Sequence, residues 1–446
     1  MKTRSTTTIR IVVALLLIGA VAVTTVPSPT ADAQGQTIKI GILYDHSGPF
    51  SAAGSLNCYR GAKMIIDYVN EKGGVLGKYK IVQVDGDSQS KTEAAINEAE
   101  RLLNVEKVDI LAGIYSSAHA VPLAEKVDKQ KKFLWITTAI ADAVLKDRNL
   151  QYTFRPQPNG SLFGEATAQY VAHFAQDKLK KAAKDVRVAI IYEDGPYGTG
   201  VAASNESESK KLGMQVVLKE GFSVQAPDLS SLVTKLRAAR PDAIFHTGYN
   251  PDITLFLRQA KEQGLRTKIY LGHGAGHSQL AKLKEGFGNE VEGFHTADPP
   301  AAQLIDPKKL KPGLADMTQE MLKRYKAFEP SIPSGQVAPH VSMGFNNMWI
   351  LLNDVLPRAI QKHGGFSAEA LAKAARETDI PEGGTMQGYG VKFHPAGHPM
   401  AGQNMRAVAA VFQVIDGDFK HVYPGVVASV ARPPVLLPAN SPYFAR

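Results

Sequence analysis

Short apolar runs alternate with amphipathic helical stripes along most of this chain. In the first third, predicted strands cover Thr37–Tyr44, Ile81–Val84, Val108–Gly113 and Phe133–Thr138. The apolar positions between them recur at helical spacing over Ser55–Asn70, Lys91–Asn104 and Ala120–Gln130. Strands that alternate with helices in this way are typical of an α/β fold with a doubly wound, mostly parallel sheet.

The segment 155–160 contains two prolines and a glycine, which predicts a crossover, and the alternation then starts afresh. Predicted helices cover Phe163–Asp177, Val201–Leu212, Leu229–Ala239 and Ile253–Gln263. Predicted strands cover Arg187–Tyr192, Met214–Lys219, Ala243–Thr247 and Lys268–Leu271. The second third of the chain therefore predicts a second lobe with the architecture of the first.

The last third begins with a second predicted crossover at 291–300, and a third is expected near 379–384. Helices are predicted at Ala315–Ala327, His340–Ile360 and Ser367–Glu377. Strands are predicted at Gly388–Phe393, Arg406–Ile415 and Phe419–Tyr423, the last two joined by a hairpin at Asp416-Gly417. The tail 432–446 has four prolines and no periodicity, so we expect it to wrap the surface or to be disordered.

The N-terminus has the composition of an export signal. Lys2, Arg4 and Arg10 precede an apolar run, Ile11–Val23, and the small-x-small site that ends at Ala33 follows. We predict a secretory signal peptide over residues 1–33, because the apolar run is shorter than the roughly 20 residues of a membrane span. The mature chain is then expected to be soluble and periplasmic, with no membrane insertion.

Composition and charge exclude several classes of protein. The 446 residues, 44% hydrophobic and 21% charged, indicate a globular chain of two domains. The net charge of +9 is interspersed, without a basic run, so nucleic acid is not an expected partner. The single cysteine, Cys58, cannot form an internal disulfide, and its helical pattern predicts a packing role.

Candidate chemistry concentrates in the stretch Gly113–Pro122, where a buried strand meets a helix. Tyr115, Ser116 and Ser117 stand at this junction. The free N–H groups of a helix start and the two hydroxyls together favour an anion such as a carboxylate. The plainer alternative is that these serines only cap the helix.

Signatures of catalysis, metal binding and cofactor binding are not found in the sequence. There is no G-x-S-x-G elbow, no P-loop and no G-x-G-x-x-G after a strand, so we do not expect an enzyme. His273 and His277 are four residues apart, but the residues between them are Gly-Ala-Gly, which makes a helical metal pair improbable. We expect no metal and no cofactor.

Several stretches together resemble the periplasmic type I solute-binding proteins of ABC importers, in particular the leucine/isoleucine/valine-binding family. The resemblance covers about residues 36–431. The stretches that support it are IKIGILYDHSGPF, DYVNEKGGVLG, ILAGIYSS with Pro122, YGTG at 197–200, DLSSLVTKLRAARPDAIFHTGY and LRQAKEQGL.

This resemblance implies two doubly wound lobes joined by a three-strand hinge that close on a small solute. The predicted boundaries are 34–156 with about 297–379 for lobe 1, 157–296 with about 380–431 for lobe 2, and 432–446 for the tail. It also implies that Ser117 binds the solute carboxylate through its hydroxyl and N–H. Backbone contacts are implied at Ala139 and Ala141, and Tyr197 and Tyr249 would cover the solute and its ammonium group.

Two departures from the family pattern bear on specificity. Ala141 replaces a threonine, which removes one hydroxyl contact. The loop after Leu271, GHGAGH, offers His273 where the family places the acidic residue that neutralises the solute amino group. Because a buried ammonium without a counter-charge is costly, either Asp194 or Asp252 takes over, or the solute is not an α-amino acid.

The resulting expectation is a monomeric receptor that delivers a small carboxylate-bearing solute to an inner-membrane ABC permease. Branched-chain or related amino acids are the family default. The alternatives are an aromatic or other non-amino carboxylate or amide, or a ligand-sensing module for a signalling partner.

Overall fold

The first third of the chain folds into a five-stranded parallel sheet. The computed structural model describes residues 37–425, 427–430 and 432–444; the predicted signal peptide and its cleavage site after Ala33 lie outside these residues. The strand order is β2-β1-β3-β4-β5. The strands are β1 (Thr37–Tyr44), β2 (Lys80–Asp87), β3 (Ile110–Gly113), β4 (Phe133–Ile136) and β5 (Thr153–Phe154). The connecting helices are α1 (Leu56–Glu71), α2 (Thr92–Glu100) and α3 (Ser117–Lys129).

A seven-stranded sheet forms the second lobe, in the order β12-β11-β10-β9-β8-β6-β7. Its strands are β6 (Arg187–Glu193), β7 (Gln215–Phe222), β8 (Ala243–Thr247), β9 (Ile269–His273), β10 (His295–Asp298), β11 (Ala410–Ile415) and β12 (Asp418–Tyr423). Its helices are α4 (Gly160–Phe174), α5 (Pro196–Lys211), α6 (Ser230–Ala239), α7 (Asn250–Glu262) and α8 (Leu280–Phe287). Helix α8 was not predicted. The antiparallel pairing of β11 with β12 confirms the predicted hairpin.

The helices after β10 return to the first lobe. They are α9 (Leu314–Tyr325), α10 (Pro339–Ile350), α11 (Leu356–His363) and α12 (Ala368–Arg376). Helix α10 packs directly on α1, where a Cβ atom on Gly344 would lie 2.0 Å from the carbonyl oxygen of Cys58. The Trp135 indole also donates to the carbonyl of Asn347 at 2.9 Å. Cys58 is a buried free thiol within this contact, as its helical pattern predicted.

The returning segment is less regular than predicted. The expected strand at Gly388–Phe393 is wrong, because only isolated bridges form there. Val391 pairs with Ile380, whereas Phe393 pairs with Asn404, so no continuous ladder can develop. Gly388 has a φ of 82°, which extended strand does not allow. The predicted strand Arg406–Ile415 begins only at Ala410.

The described part of the tail packs on the second lobe. Leu437 and Tyr443 are buried in the same apolar cluster as β8 and β9. The Leu437 N–H donates to the Lys268 carbonyl at 2.9 Å, and the Thr267 N–H donates to the Tyr443 carbonyl at 2.8 Å. This packing agrees with the first of the two expectations for the tail, a segment that wraps the surface.

The predicted fold class is confirmed: two α/β lobes, each built on a largely parallel sheet. No helix in the described residues has the length and apolar character needed to cross a bilayer. In both sheets the carboxyl ends of the parallel strands carry the loops in which the sequence places its candidate residues. A ligand site is expected at such edges.

Candidate functional site

A cavity lies between the two lobes, at the carboxyl ends of strands from both sheets. About 330 Å³ of space there is free of protein atoms, with the open solvent at its mouth included. The first lobe contributes Tyr115, Ser117, Thr138, Ile140, His340 and Met343 to its lining. The second lobe contributes Phe163, Tyr197, Tyr249, Gly274, Ala275 and Asp298. A small molecule in this cavity would contact both lobes at once.

Ser117 is the first residue of α3 and faces the cavity. The residue before it, Ser116, is extended, so the free N–H groups of the first helical turn are presented at this wall. The Ser117 Oγ accepts a hydrogen bond from the Ala141 N–H at 3.1 Å. Its own hydroxyl hydrogen is therefore available to an acceptor in the cavity, and this wall suits an anionic group.

Ala139 and Ala141, the predicted backbone contacts, lie behind the lining. Their carbonyl oxygens accept hydrogen bonds from Nη1 of Arg155 at 3.0 and 2.8 Å. Arg155 is fully buried, and burial lowers the pKa of its guanidinium to about 10. Since this value is still well above neutral pH, Arg155 is a cation, linked to Ser117 through Ala141.

The three predicted tyrosines come together at the cavity. The ring centroid of Tyr249 is 5.5 Å from that of Tyr197 and 6.3 Å from that of Tyr115, and Phe50 packs on Tyr249 at 4.3 Å. Burial holds the pKa of all three phenols well above the ordinary value of 10. They are neutral hydrogen-bonding groups with apolar faces.

His273 stands one step behind the lining. Its ring contacts the hydroxyls of Thr167 and Thr247, each at 3.0 Å, and the amide of Asn205 at 3.2 Å. Burial lowers the pKa of His273 to about 4, so the imidazole is neutral. Its carbonyl accepts from the Tyr197 hydroxyl at 2.5 Å. The His273 carbonyl therefore positions Tyr197. The ring nitrogens of His273 are already hydrogen-bonded to side chains of the second lobe.

The two carboxylates considered as replacements for the missing acidic residue lie elsewhere. Asp194 is exposed, on the turn after β6. Asp252 is buried, but its Oδ1 accepts from the backbone N–H groups of Tyr249 at 2.7 Å and Ile253 at 3.0 Å, which caps α7. Neither belongs to the cavity lining.

A different carboxylate, Asp298, faces the cavity at the end of β10. It is 1% exposed, and Oδ2 has no hydrogen-bond partner among the described residues. The Ser278 hydroxyl donates to this carboxylate, and Nδ1 of His340 lies 3.7 Å from Oδ2. Burial raises the pKa of Asp298 to about 8.

Gln279, immediately before α8, connects the lobes beside Asp298. Its Nε2 donates to Nδ1 of His340 at 3.0 Å, and its Oε1 accepts from Nδ2 of Asn57 at 2.7 Å. His340 and Asn57 belong to the first lobe, whereas Gln279 belongs to the second. Burial lowers the pKa of His340 to about 3, so its ring is neutral.

The sequence analysis missed Asp298 because the two prolines after it led us to predict a crossover at 291–300 instead of a strand. The strand-end rule that singled out Ser117 also applies to Asp298, which closes the strand β10. His340 and Met343 gave no such signal, because they lie on α10, far away in sequence. Phe163 was predicted only as the start of a helix.

Comparison with known proteins gives a consistent picture. A family model described as "Periplasmic binding protein" matches residues 37–413. The Leu/Ile/Val-binding protein homolog 7 of Brucella suis is 33% identical over 392 residues, which cover 88% of this chain and 92% of the relative.

Two solved structures share the fold. A leucine binding protein from Thermotoga maritima has a TM-score of 0.69 at 23% identity, covering 86% of this chain and 98% of its own. A solute binding protein of an ABC transporter from R. palustris, in complex with 4-hydroxybenzoate, has a TM-score of 0.68 at 16% identity. It covers 87% of this chain and 96% of its own.

Proposed function

This chain belongs to the periplasmic binding protein family, and from that premise we propose that it is the solute receptor of an ABC importer. It captures a small carboxylate-bearing solute between its lobes and presents the closed form to an inner-membrane permease. The predicted signal peptide would export it to the periplasm, where it would act as a monomer.

The observation that supports this proposal is the cavity shared by the two lobes. Ser117, at the start of α3, and Tyr197 and Tyr249, just after strands of the other sheet, line the same cavity. A solute held there contacts both lobes, so it binds the closed form better than the open form. Hinge closure on a ligand is the motion that periplasmic binding proteins use.

The carboxylate of the solute would bind at the wall formed by Ser117. The hydroxyl of Ser117 and the N–H groups of the first turn of α3 supply the donors, and the cation of Arg155 lies behind Ala141. Such charge-assisted hydrogen bonds in a buried site are stronger than neutral ones.

Branched-chain or related amino acids are the first candidates, in keeping with the named relatives from Brucella suis and Thermotoga maritima. The aromatic lining, with Phe163 beside three tyrosines, supports an aromatic carboxylate as the second candidate. The R. palustris neighbour binds a ligand of that chemistry.

A melting-temperature screen of the chain from Gln34 onward tests the function. The ligands are leucine, valine, phenylalanine, their des-amino counterparts, benzoates and short amides. A solute that binds only the folded protein raises the midpoint according to its concentration over its dissociation constant. At least one carboxylate is expected to raise it. A set in which only uncharged amides do so would contradict the proposal.

The Ser117→Ala variant makes the same test sharper. We expect it to weaken binding of the active solute by about 1 to 3 kcal/mol, because a buried carboxylate loses a donor. Ser209→Ala is the matched control, since Ser209 is equally buried but lies on α5, outside the cavity lining. Equal dissociation constants for Ser117→Ala and wild type would remove Ser117 from the site. Co-purification with a kinase instead of a permease would favour a sensing role.

A further inference from the structure

Asp298 is a buried acidic group at the cavity wall, and no cationic side chain among the described lining residues faces it. The described residues that line the cavity include no lysine and no arginine. Oδ2 has no hydrogen-bond partner among the described residues, although the side chain is 1% exposed. A buried carboxyl oxygen left in this state is costly unless a ligand satisfies it.

The titratable groups that face Asp298 are all neutral near pH 7. His340, on α10, accepts from Gln279 through Nδ1, so its lone pair is occupied and it offers Asp298 neither a proton nor a charge. Tyr115, Tyr197 and Cys58 also act electrostatically with Asp298. Burial raises the pKa of each of these three groups, so they stay protonated and uncharged. A positive charge beside Asp298 would therefore have to come from a ligand bound in the cavity.

The opposite end of the cavity has the reverse polarity. There the start of α3 presents the Ser117 hydroxyl and free N–H groups, and the buried cation of Arg155 lies behind them. The first lobe thus presents a positive end, and the second lobe presents an acidic group that can ionise when a cation binds beside it. A ligand with a carboxylate and a protonated nitrogen would match both.

We propose that Asp298 is the residue that binds a protonated amino group of the solute, so that the cavity selects a zwitterionic amino acid. This inference rests on the proposed function and narrows its solute class. Asp298 takes this role from the end of β10, while the loop after β9 contributes Gly274 and Ala275 to the wall. Gly274 lies directly beside this carboxyl group, since a Cβ atom there would be 3.6 Å from Oδ1 of Asp298.

A proton linkage follows from the environment of Asp298. In the empty cavity burial raises its pKa to about 8, so at pH 7 the carboxyl group is mostly protonated. A bound ammonium group favours the ionised form and lowers that pKa. Binding below pH 8 therefore releases a proton, and affinity for the amino acid rises with pH, by up to about tenfold per unit.

Titration calorimetry of two matched solute pairs tests the inference. The pairs are leucine with 4-methylpentanoate and phenylalanine with 3-phenylpropanoate, each at pH 6, 7 and 8 and in phosphate and Tris. Wild type is expected to bind the amino acid at least about thirtyfold more tightly than its des-amino partner. It should release close to one proton at pH 7, measured from the dependence of the heat on buffer.

The Asp298→Asn variant should lose at least about thirtyfold in affinity for the amino acid and change little for the des-amino acid. Asp185→Asn, at an exposed position outside the cavity, is the matched control. Thermal melting checks that the variants fold. If Asp298→Asn does not fold, the proton release of wild type decides the question.

The outcomes separate this inference from the proposed function. Tighter binding of the amino acids with proton release, lost in Asp298→Asn, supports it. A wild-type protein that binds only the des-amino acids, or both members of a pair equally and without proton release, overturns this inference alone. Wild type that binds none of these solutes and none in the melting screen overturns both.

Discussion

The two walls of the cavity are built on different principles. The wall of the first lobe presents backbone N–H groups and the Ser117 hydroxyl, with the cation of Arg155 hydrogen-bonded to the carbonyls behind. Behind the wall of the second lobe lies the neutral imidazole of His273. This wall includes Asp298, whose Oδ2 has no hydrogen-bond partner among the described residues. One wall offers hydrogen-bond donors backed by a cation, and the other offers an acidic group.

This difference assigns separate tasks to the lobes. The first lobe offers a preorganised anion site, which costs little rearrangement on binding. The second lobe buries histidines and carboxyl groups that ionise more readily in water, and the salt bridges of the described residues give its buried histidines no counter-charge. Its stability should therefore respond strongly to pH and to the ligand, whereas that of the first lobe should depend on one cation.

The largest expected effect is the acid sensitivity of the second lobe. Burial lowers the pKa of seven histidines far below 6.5, and five of them belong to the second lobe: His246, His273, His277, His295 and His421; the other two are His119 and His340. In the unfolded chain these groups take up protons as pH falls through 6.5, but in the folded chain they do not. Stability is therefore lost as pH falls, by about 1.4 kcal/mol per pH unit for each excess proton.

Buried aspartates act in the opposite direction but are fewer. Burial raises the pKa of Asp45 to about 7, of Asp298 to about 8 and that of Asp252 well above its ordinary value. These groups stay protonated in the folded chain where the unfolded chain ionises. Burial also raises the pKa of Glu193, which acts in the same direction. Between pH 6 and 4.5 the seven histidines outnumber these four buried carboxyl groups, so we expect net destabilisation.

Hydrogen exchange at pH 7 and pH 5 shows which strands lose stability as the pH falls. Amides of β8, β9 and β10 should lose protection first, while β1 and β3 keep theirs. His246→Phe should reduce the fall in melting temperature over this range, since it removes one of the protonation sites from among Phe222 and Phe256. His173→Phe, at an exposed position, should leave the fall unchanged. Earlier loss of protection in the first lobe would contradict the comparison.

The second largest effect concerns the cation of the first lobe. Arg155→Met leaves two buried carbonyls, those of Ala139 and Ala141, without their donor. We expect a loss of about 3 kcal/mol in the free energy of unfolding, measured by urea denaturation. Arg237→Met, at an exposed position of α6, is the control, with a change within about 0.5 kcal/mol.

Arg155→Met also tests whether the two walls contribute independently to solute affinity. It should weaken an amino acid and its des-amino partner by similar factors, because both present a carboxylate to the same wall. Asp298→Asn should discriminate between them. Loss confined to the amino acid in Arg155→Met would show that the two ends of the cavity do not act independently.

The sequence predicted the binding residues of the first wall better than those of the second. Ser117 belongs to one continuous strand-helix junction, so local pattern predicted both its position and its anion-binding character. Asp298 faces His340 and Gly274 only through tertiary folding. Similarly, nothing local shows that Arg155 occupies the carbonyls of Ala139 and Ala141. The alternation of strands and helices predicted most strands of the two sheets but not β5 or β10. The return segment around Gly388 depends on partners far away in sequence.

The smallest expected effect joins the two walls. Gln279→Leu removes two hydrogen bonds between the lobes, to His340 and to Asn57, while keeping a side chain of similar size. In the open form water replaces these bonds, so only the closed form is destabilised, by about 1 kcal/mol. Solute affinity should fall about fivefold, with a matching drop in the closed fraction measured by small-angle scattering at subsaturating solute. Gln225→Leu, in an exposed loop, is the control. If Gln279→Leu leaves the dissociation constant unchanged, the polar contacts between the walls do not stabilise closure, and the solute alone holds the lobes together.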